Sequence, residues 1–227
     1  MADTYLDTRD RLEDYFDRTA MRAWERLTSD APVSRIRRTV REGRDRMRAL
    51  LLGALPAEMH GLRVLDAGCG AGQMAVALAE CGAEVVAVDI SPRLLAVARE
   101  RTPAPLLDRI AFVSGDMLDP SLGRFDHVVA MDSLVHYRPG DAAEALAQLA
   151  VRTSGTVAFT IAPRTLPLAT MHFVGQLFPR GDRAPAIVPV AESALRRELA
   201  RACGRTLAPV GRVTSGFYIS QAMELRP

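Results

Sequence analysis

The chain has 227 residues, 48% hydrophobic and 25% charged, with a formal net charge of +2. These totals fit one domain with a real core and a small extension, and they exclude a disordered chain or a general polyanion binder. All 29 basic residues are arginine, which biased codon use largely accounts for, but it makes every cationic group a planar fork suited to carboxylate or phosphate. Cys69, Cys81 and Cys203 have neither disulfide nor metal-ligand spacing. No apolar run approaches the roughly 18 residues that span a bilayer, and the charged N-terminus has no signal core. The expectation is a soluble, cytoplasmic protein without its own metal, at most peripheral to a membrane.

In chain order, residues 1–60 carry helical periodicity and dense charge. Arg35 to Arg48 holds seven arginines against Glu42 and Asp45. On a helix, Ile36, Val40 and Met47 would face a core, with arginines around them. Most of these arginines read as a solvated face. Arg38 is the one expected to reach a carboxylate of a cofactor or acceptor.

From residue 62 the texture changes. Leu62 to Asp66 reads as a short strand ending in an acid, followed by glycines and a helix from Gln73 to Cys81 that Gly82 stops. Glu84 to Asp89 is a second strand ending in an acid. Ser91 and Pro92 open the next helix as cap and first turn. Ile110 to Ser114 and Phe125 to Met131 are further strands, then a helix from Gly140 to Arg152 and a strand from Thr156 to Ile161. Residues 164–190 are rich in Pro and apolar groups and read as an insertion; a helix and strands follow from Glu192. This alternation implies right-handed crossovers and a mostly parallel α/β sheet, which binds ligands at the carboxyl ends of its strands.

Residues 64–72 read VLDAGCGAG, with Gly68, Gly70 and Gly72 directly after a strand. Glycines there let backbone approach a ligand, and the helix start beyond offers free N–H groups. The spacing is not the dinucleotide G-x-G-x-x-G. Asp66 suits an ammonium better than a phosphate, and Asp89 can accept both hydroxyls of a ribose. Asp116, after the third strand, is placed against an exocyclic amine.

With VLDAGCGAG, VVAVDIS and SGDM in this order, the chain resembles the class I S-adenosylmethionine methyltransferases from about residue 60 on. The resemblance implies a Rossmann-like fold with a mostly parallel seven-stranded sheet, helices on both faces and an N-terminal helical extension. It also implies S-adenosyl-L-methionine as cofactor and S-adenosylhomocysteine as product. Asp66, Gly68, Gly70 and Gly72 then line the amino acid half, Asp89 and Ile90 the ribose, and Asp116 and Met117 the adenine; Asp132 joins the set after the fourth strand.

The extension is more specific. YFDRTA, AWERLT, RIRRTVREGRDRMR, SLVHY and the ending SGFYIS resemble the magnesium protoporphyrin IX O-methyltransferase family over nearly the full length. This implies methyl transfer to a ring propionate of magnesium protoporphyrin IX in (bacterio)chlorophyll synthesis, with the magnesium carried by the substrate. It further implies contact with the magnesium chelatase large subunit and the photosynthetic membrane, and no nucleic-acid partner. A catalytic pair maps onto Tyr15 and His136, with residues 1–60 as a lid and 61–227 as the methyltransferase domain. Tyr137, Arg164, Met171 and Phe173 are expected to meet the porphyrin, the last three from the insertion at 164–190. Two other readings stay open: a methyltransferase for another apolar acceptor such as a quinone or polyketide, and a tetrapyrrole binder without chemistry.

Overall fold

The structure is a computed structural model that describes residues 4–15, 17, 35–164 and 187–227, with side chains of the second helix described from residue 38. The strands are β1 (Arg63–Ala67), β2 (Glu84–Asp89), β3 (Ile110–Ser114), β4 (His127–Ala130), β5 (Val157–Ile161), β6 (Thr206–Ser215) and β7 (Tyr218–Arg226). The helices are α1 (Tyr5–Tyr15), α2 (Arg35–Leu52), α3 (Gln73–Glu80), α4 (Pro92–Arg101), α5 (Pro139–Val151) and α6 (Glu192–Ala202). Together the strands make one seven-stranded sheet in the order β3-β2-β1-β4-β5-β7-β6. The first five are parallel, and β7 runs antiparallel between β5 and β6. This is the Rossmann-like methyltransferase architecture the motifs imply.

Parallel strands are covered on both faces, so their apolar runs are continuous and successive side chains feed opposite cores. Leu65, Val86, Val88, Val128 and Phe159 pack with Leu146 and Leu149 of α5 and Leu195 and Leu199 of α6. Val64, Val85, Ala87, Val129 and Ala158 pack on the other face with Met47 and Leu51 of α2 and Met74 and Leu78 of α3. Met47 and Leu51 are wholly buried. The second helix of the N-terminal extension is therefore one of the layers that close the sheet, while α1 places Leu12 in the opposite core.

Local chemistry fixes the element ends. Ser91 accepts the Leu94 N–H through Oγ (3.2 Å) and Pro92 follows it, as the sequence predicts. The fourth strand is shorter than its apolar run. The Phe125 N–H goes to the Arg152 carbonyl, the Asp126 carboxylate takes the Arg63 N–H at 2.8 Å, and Asp132 turns to a φ of 57°. The start of the run is thus tied to the α5–β5 connection and to Arg63, and its end breaks at the Asp132 turn. Arginine forks tie the connections: Arg205 donates to the carbonyls of Ala150, Thr153 and Gly155 at and beyond the end of α5, and Arg152 to those of Met117 and Asp119.

Candidate active site

β1, β2 and β4 meet where the strand order reverses, and the loops beyond their carboxyl ends line an open cavity. Gly68, the first residue after β1, has φ 80°, and a Cβ there would lie 2.5 Å from the Cβ of Ser133. Only glycine permits this contact between the β1 and β4 loops. Gly70 has φ 54° and faces open space, and its N–H donates to Asp89 Oδ2 at 2.8 Å. Gly72 lies behind the cavity wall at the N-cap of α3, where a Cβ would meet Ala98 at 2.8 Å. Gly68 and Gly70 line the cavity; the role of Gly72 is packing.

Two acids define the cavity's polarity. Asp66 is 1% exposed, and burial, reinforced by the charge of Asp89, pushes its carboxyl up to about 7. Its Oδ2 is buried and has no hydrogen-bond partner among the described residues. A buried carboxylate oxygen without a partner is costly unless a ligand completes it. Asp89 is buried too and pushed up to about 6, mainly by burial. Its oxygens accept the N–H groups of Gly70 and Ser91, leaving lone pairs for a second donor on each.

Arg44 and Arg48 line the cavity together with Asp66 and Gln73. Arg38 does not enter it. Its side chain is 65% exposed and pairs weakly with Glu42 at 3.9 Å. The reason is helix phase: at about 100° per residue, six positions put Arg38 some 240° around the axis from Arg44. The face with Met47 and Leu51 packs on the sheet, Arg44 and Arg48 flank it, and Arg38 shares the outer face with Glu42.

The apolar wall holds Ile90 and Met117, with Gly115 presenting open space where a side chain would be. Asp116 is not on this wall. Its Oδ1 accepts the Tyr5 hydroxyl at 2.7 Å and the Leu118 N–H at 2.8 Å, and Oδ2 accepts Arg9 at 3.1 Å. In this structure the carboxylate ties the turn after β3 to α1 and does not line the cavity. Asp132 lines the cavity, but its carboxylate is held by Arg44 and Tyr218.

His136 and Tyr137 follow β4 in a short 3-10 turn and both line the cavity. Tyr137 is buried and stacks on Tyr5, with centroids 4.9 Å apart and planes 18° from parallel. Tyr5 is the α1 tyrosine on the cavity wall; Tyr15, at the other end of the helix, is half-buried and not part of that wall. Tyr5, Thr8 and Leu12 share one inward face at helical spacing, a signal present in the sequence. Burial raises the hydroxyls of Tyr5 and Tyr137 above the ordinary tyrosine range, so both remain protonated donors. Arg164 is exposed and outside the cavity wall. Met171 and Phe173 lie outside the described residues.

The donor set fits a zwitterionic nucleoside. Asp66 offers a carboxylate oxygen in need of a donor, the arginines offer forks for a carboxylate, Asp89 offers acceptors for a diol, and Ile90 and Met117 offer an apolar slot. Residues 130–227 match the family model "Magnesium-protoporphyrin IX methyltransferase C-terminus", and residues 64–153 match "Methyltransferase domain". The chain is 50% identical to the magnesium-protoporphyrin O-methyltransferase of Rhodobacter capsulatus over 100% of both chains. It is 29% identical to the chloroplastic magnesium protoporphyrin IX methyltransferase of Arabidopsis thaliana, over 95% of this chain and 70% of that one. Among solved structures, the magnesium protoporphyrin IX methyltransferase of Synechocystis PCC 6803 with bound SAH superposes with a TM-score of 0.81 at 28% identity, covering 96% of this chain and 99% of that one.

Proposed function

The chain belongs to the magnesium-protoporphyrin O-methyltransferase family, and we propose that it methylates a propionate carboxylate of magnesium protoporphyrin IX from S-adenosyl-L-methionine, giving the monomethyl ester in (bacterio)chlorophyll synthesis. The observation that carries the reading is the buried Asp66 oxygen, without a partner among the described residues, in the same cavity as Arg44, Arg48 and His136. When bound, the sulfonium supplies an activated methyl carbon. Asp66 would hold its ammonium, Arg44 and Arg48 its carboxylate, Asp89 its ribose, and Ile90 and Met117 would flank the adenine.

The acceptor carboxylate is already ionised near neutral pH, so no strong base is needed. What the chain supplies is alignment and a dry site. His136 orients the acceptor by donating an N–H to the oxygen that does not react, and Tyr137, braced by Tyr5, seals the wall behind it. Incubation of the purified chain with S-adenosyl-L-methionine and magnesium protoporphyrin IX should yield the ester by mass spectrometry. Cofactor binding without ester formation, or turnover only on a phenolic acceptor, would refute the assigned acceptor.

No helix among the described residues is long and apolar enough to cross a membrane. Peripheral contact with the photosynthetic membrane is part of the same proposal. It is supported by exposed Phe217 at the β6–β7 tip, which rests on α2 beside Thr39 and exposed Arg38. Contact with the large subunit of magnesium chelatase rests on family resemblance alone.

A further inference from the structure

Asp132 is the one described non-glycine residue with positive φ, at 57°, a conformation that costs energy unless surrounding contacts impose it. Those contacts are present. Its N–H donates to Thr160 Oγ1 at 2.7 Å, and Thr160 is completely buried. Its carboxylate accepts Arg44 Nη1 at 2.6 Å, the Tyr218 hydroxyl at 3.1 and 3.2 Å, and Thr160 Oγ1 at 3.3 Å. An acid engaged by several protein donors is poorly placed to grip a ligand itself. It is well placed to hold Arg44, which lines the cavity beside Asp66.

The other holder comes from the antiparallel part of the sheet. Tyr218 opens β7, and its ring reaches Asp132 by passing against α2 at Gly43, where a Cβ would lie 2.6 Å from Tyr218 Cδ1. At the hairpin tip, a Cβ on Gly216 would lie 2.4 Å from Thr39 Oγ1. The hairpin and α2 are thus in close contact at Gly43 and at Gly216. Burial and the charge of Asp132 keep the Tyr218 hydroxyl protonated, so it always donates.

We propose that Asp132 and Tyr218 are positioning residues that aim Arg44 at the α-carboxylate of the sulfonium nucleoside, a role that rests on the cofactor assignment above. A guanidinium on a long stem has many rotamers, and fixing its fork is what gives directional recognition of a carboxylate. Without the phenol, the Asp132 carboxylate loses a donor and its fixed rotation, and the fork it holds loses its aim.

The test compares S-adenosylhomocysteine with its decarboxylated counterpart, which keeps the ammonium, by calorimetry on wild type, Tyr218→Phe and Asp132→Asn. Tyr218→Phe preserves the ring packed at Gly43, so the fold is retained. Each substitution should weaken S-adenosylhomocysteine about tenfold, the scale of a hydrogen bond to a charged group, and change the decarboxylated ligand by less than about twofold on the same scale. Equal losses for both ligands, or no loss for either, would overturn the proposal. Failure of wild type to bind S-adenosylhomocysteine would overturn the underlying cofactor assignment instead.

Discussion

Asp66 makes cofactor binding a proton-linked event. Its carboxyl stands at about 7, against an ordinary 3.8, and an ammonium pairs only with the ionised form. At pH 6 about 9% of the sites are ionised, at pH 8 about 91%. The affinity for S-adenosylhomocysteine should therefore rise roughly tenfold between these pH values, about 1.4 kcal/mol. Binding at pH 6 should expel about 0.9 proton from Asp66, plus up to about 0.5 from Asp89, whose carboxyl stands at about 6. Calorimetry at pH 6 in two buffers of different ionisation enthalpy counts these protons. In Asp66→Asn the count should fall to about 0.5 or less, and the affinity should flatten with pH. If the variant expels as many protons as wild type, the ammonium does not meet Asp66 and the orientation assigned to the cofactor is wrong. The sign for stability is opposite. Both carboxyls hold protons more tightly in the folded state, so the ligand-free protein should lose stability as pH rises from about 3.8 to about 7, which denaturant titrations will report.

Asp89→Ala should weaken S-adenosylhomocysteine about 10- to 100-fold, because it removes the ribose acceptor and the partner of the Gly70 N–H; an unchanged Kd would refute the ribose assignment. His136→Ala should lower kcat by about 10- to 100-fold, the scale of a hydrogen bond to a charged group, while leaving the cofactor Kd within about twofold, and parallel losses would make the residue structural. Leu51→Ala, at a wholly buried α2 position, should cost about 2–5 kcal/mol in urea unfolding; a loss below about 1 kcal/mol would mean that α2 is a detachable cover.

Backbone-driven features were legible in the sequence. The strand, acid and glycine run at 64–72 and the Ser91-Pro92 start depend on residues within a few positions of each other. They place Asp66, Gly68, Gly70 and Asp89 without knowledge of the rest of the chain. Side-chain direction was not legible where a distant partner decides it. Asp116 reads as a ligand residue until Tyr5 and Arg9, more than a hundred positions away, claim its oxygens. Arg38 could have been set aside: by helix phase it lies opposite the face that Ile36, Val40 and Met47 turn to the core, while Arg44 borders that face. What separates them is the rotation of α2 about its axis, set by Met47 and Leu51 in the core and by the hairpin at Gly43 and Gly216. The place of Tyr5 on the cavity wall was legible as well, since the face it shares with Thr8 and Leu12 repeats at helical spacing.

The arginine forks that tie off carbonyls at the end of α5 and after β3 also sort the cations of this chain by chemical reactivity. A dicarbonyl reagent such as phenylglyoxal condenses with guanidinium groups that water can reach. Arg38 and its neighbours on the outer face of α2 would modify quickly, while Arg152 and Arg205, spread across several carbonyls, would lag. A cation whose labelling slows when the nucleoside is added would mark the ligand's footprint in solution.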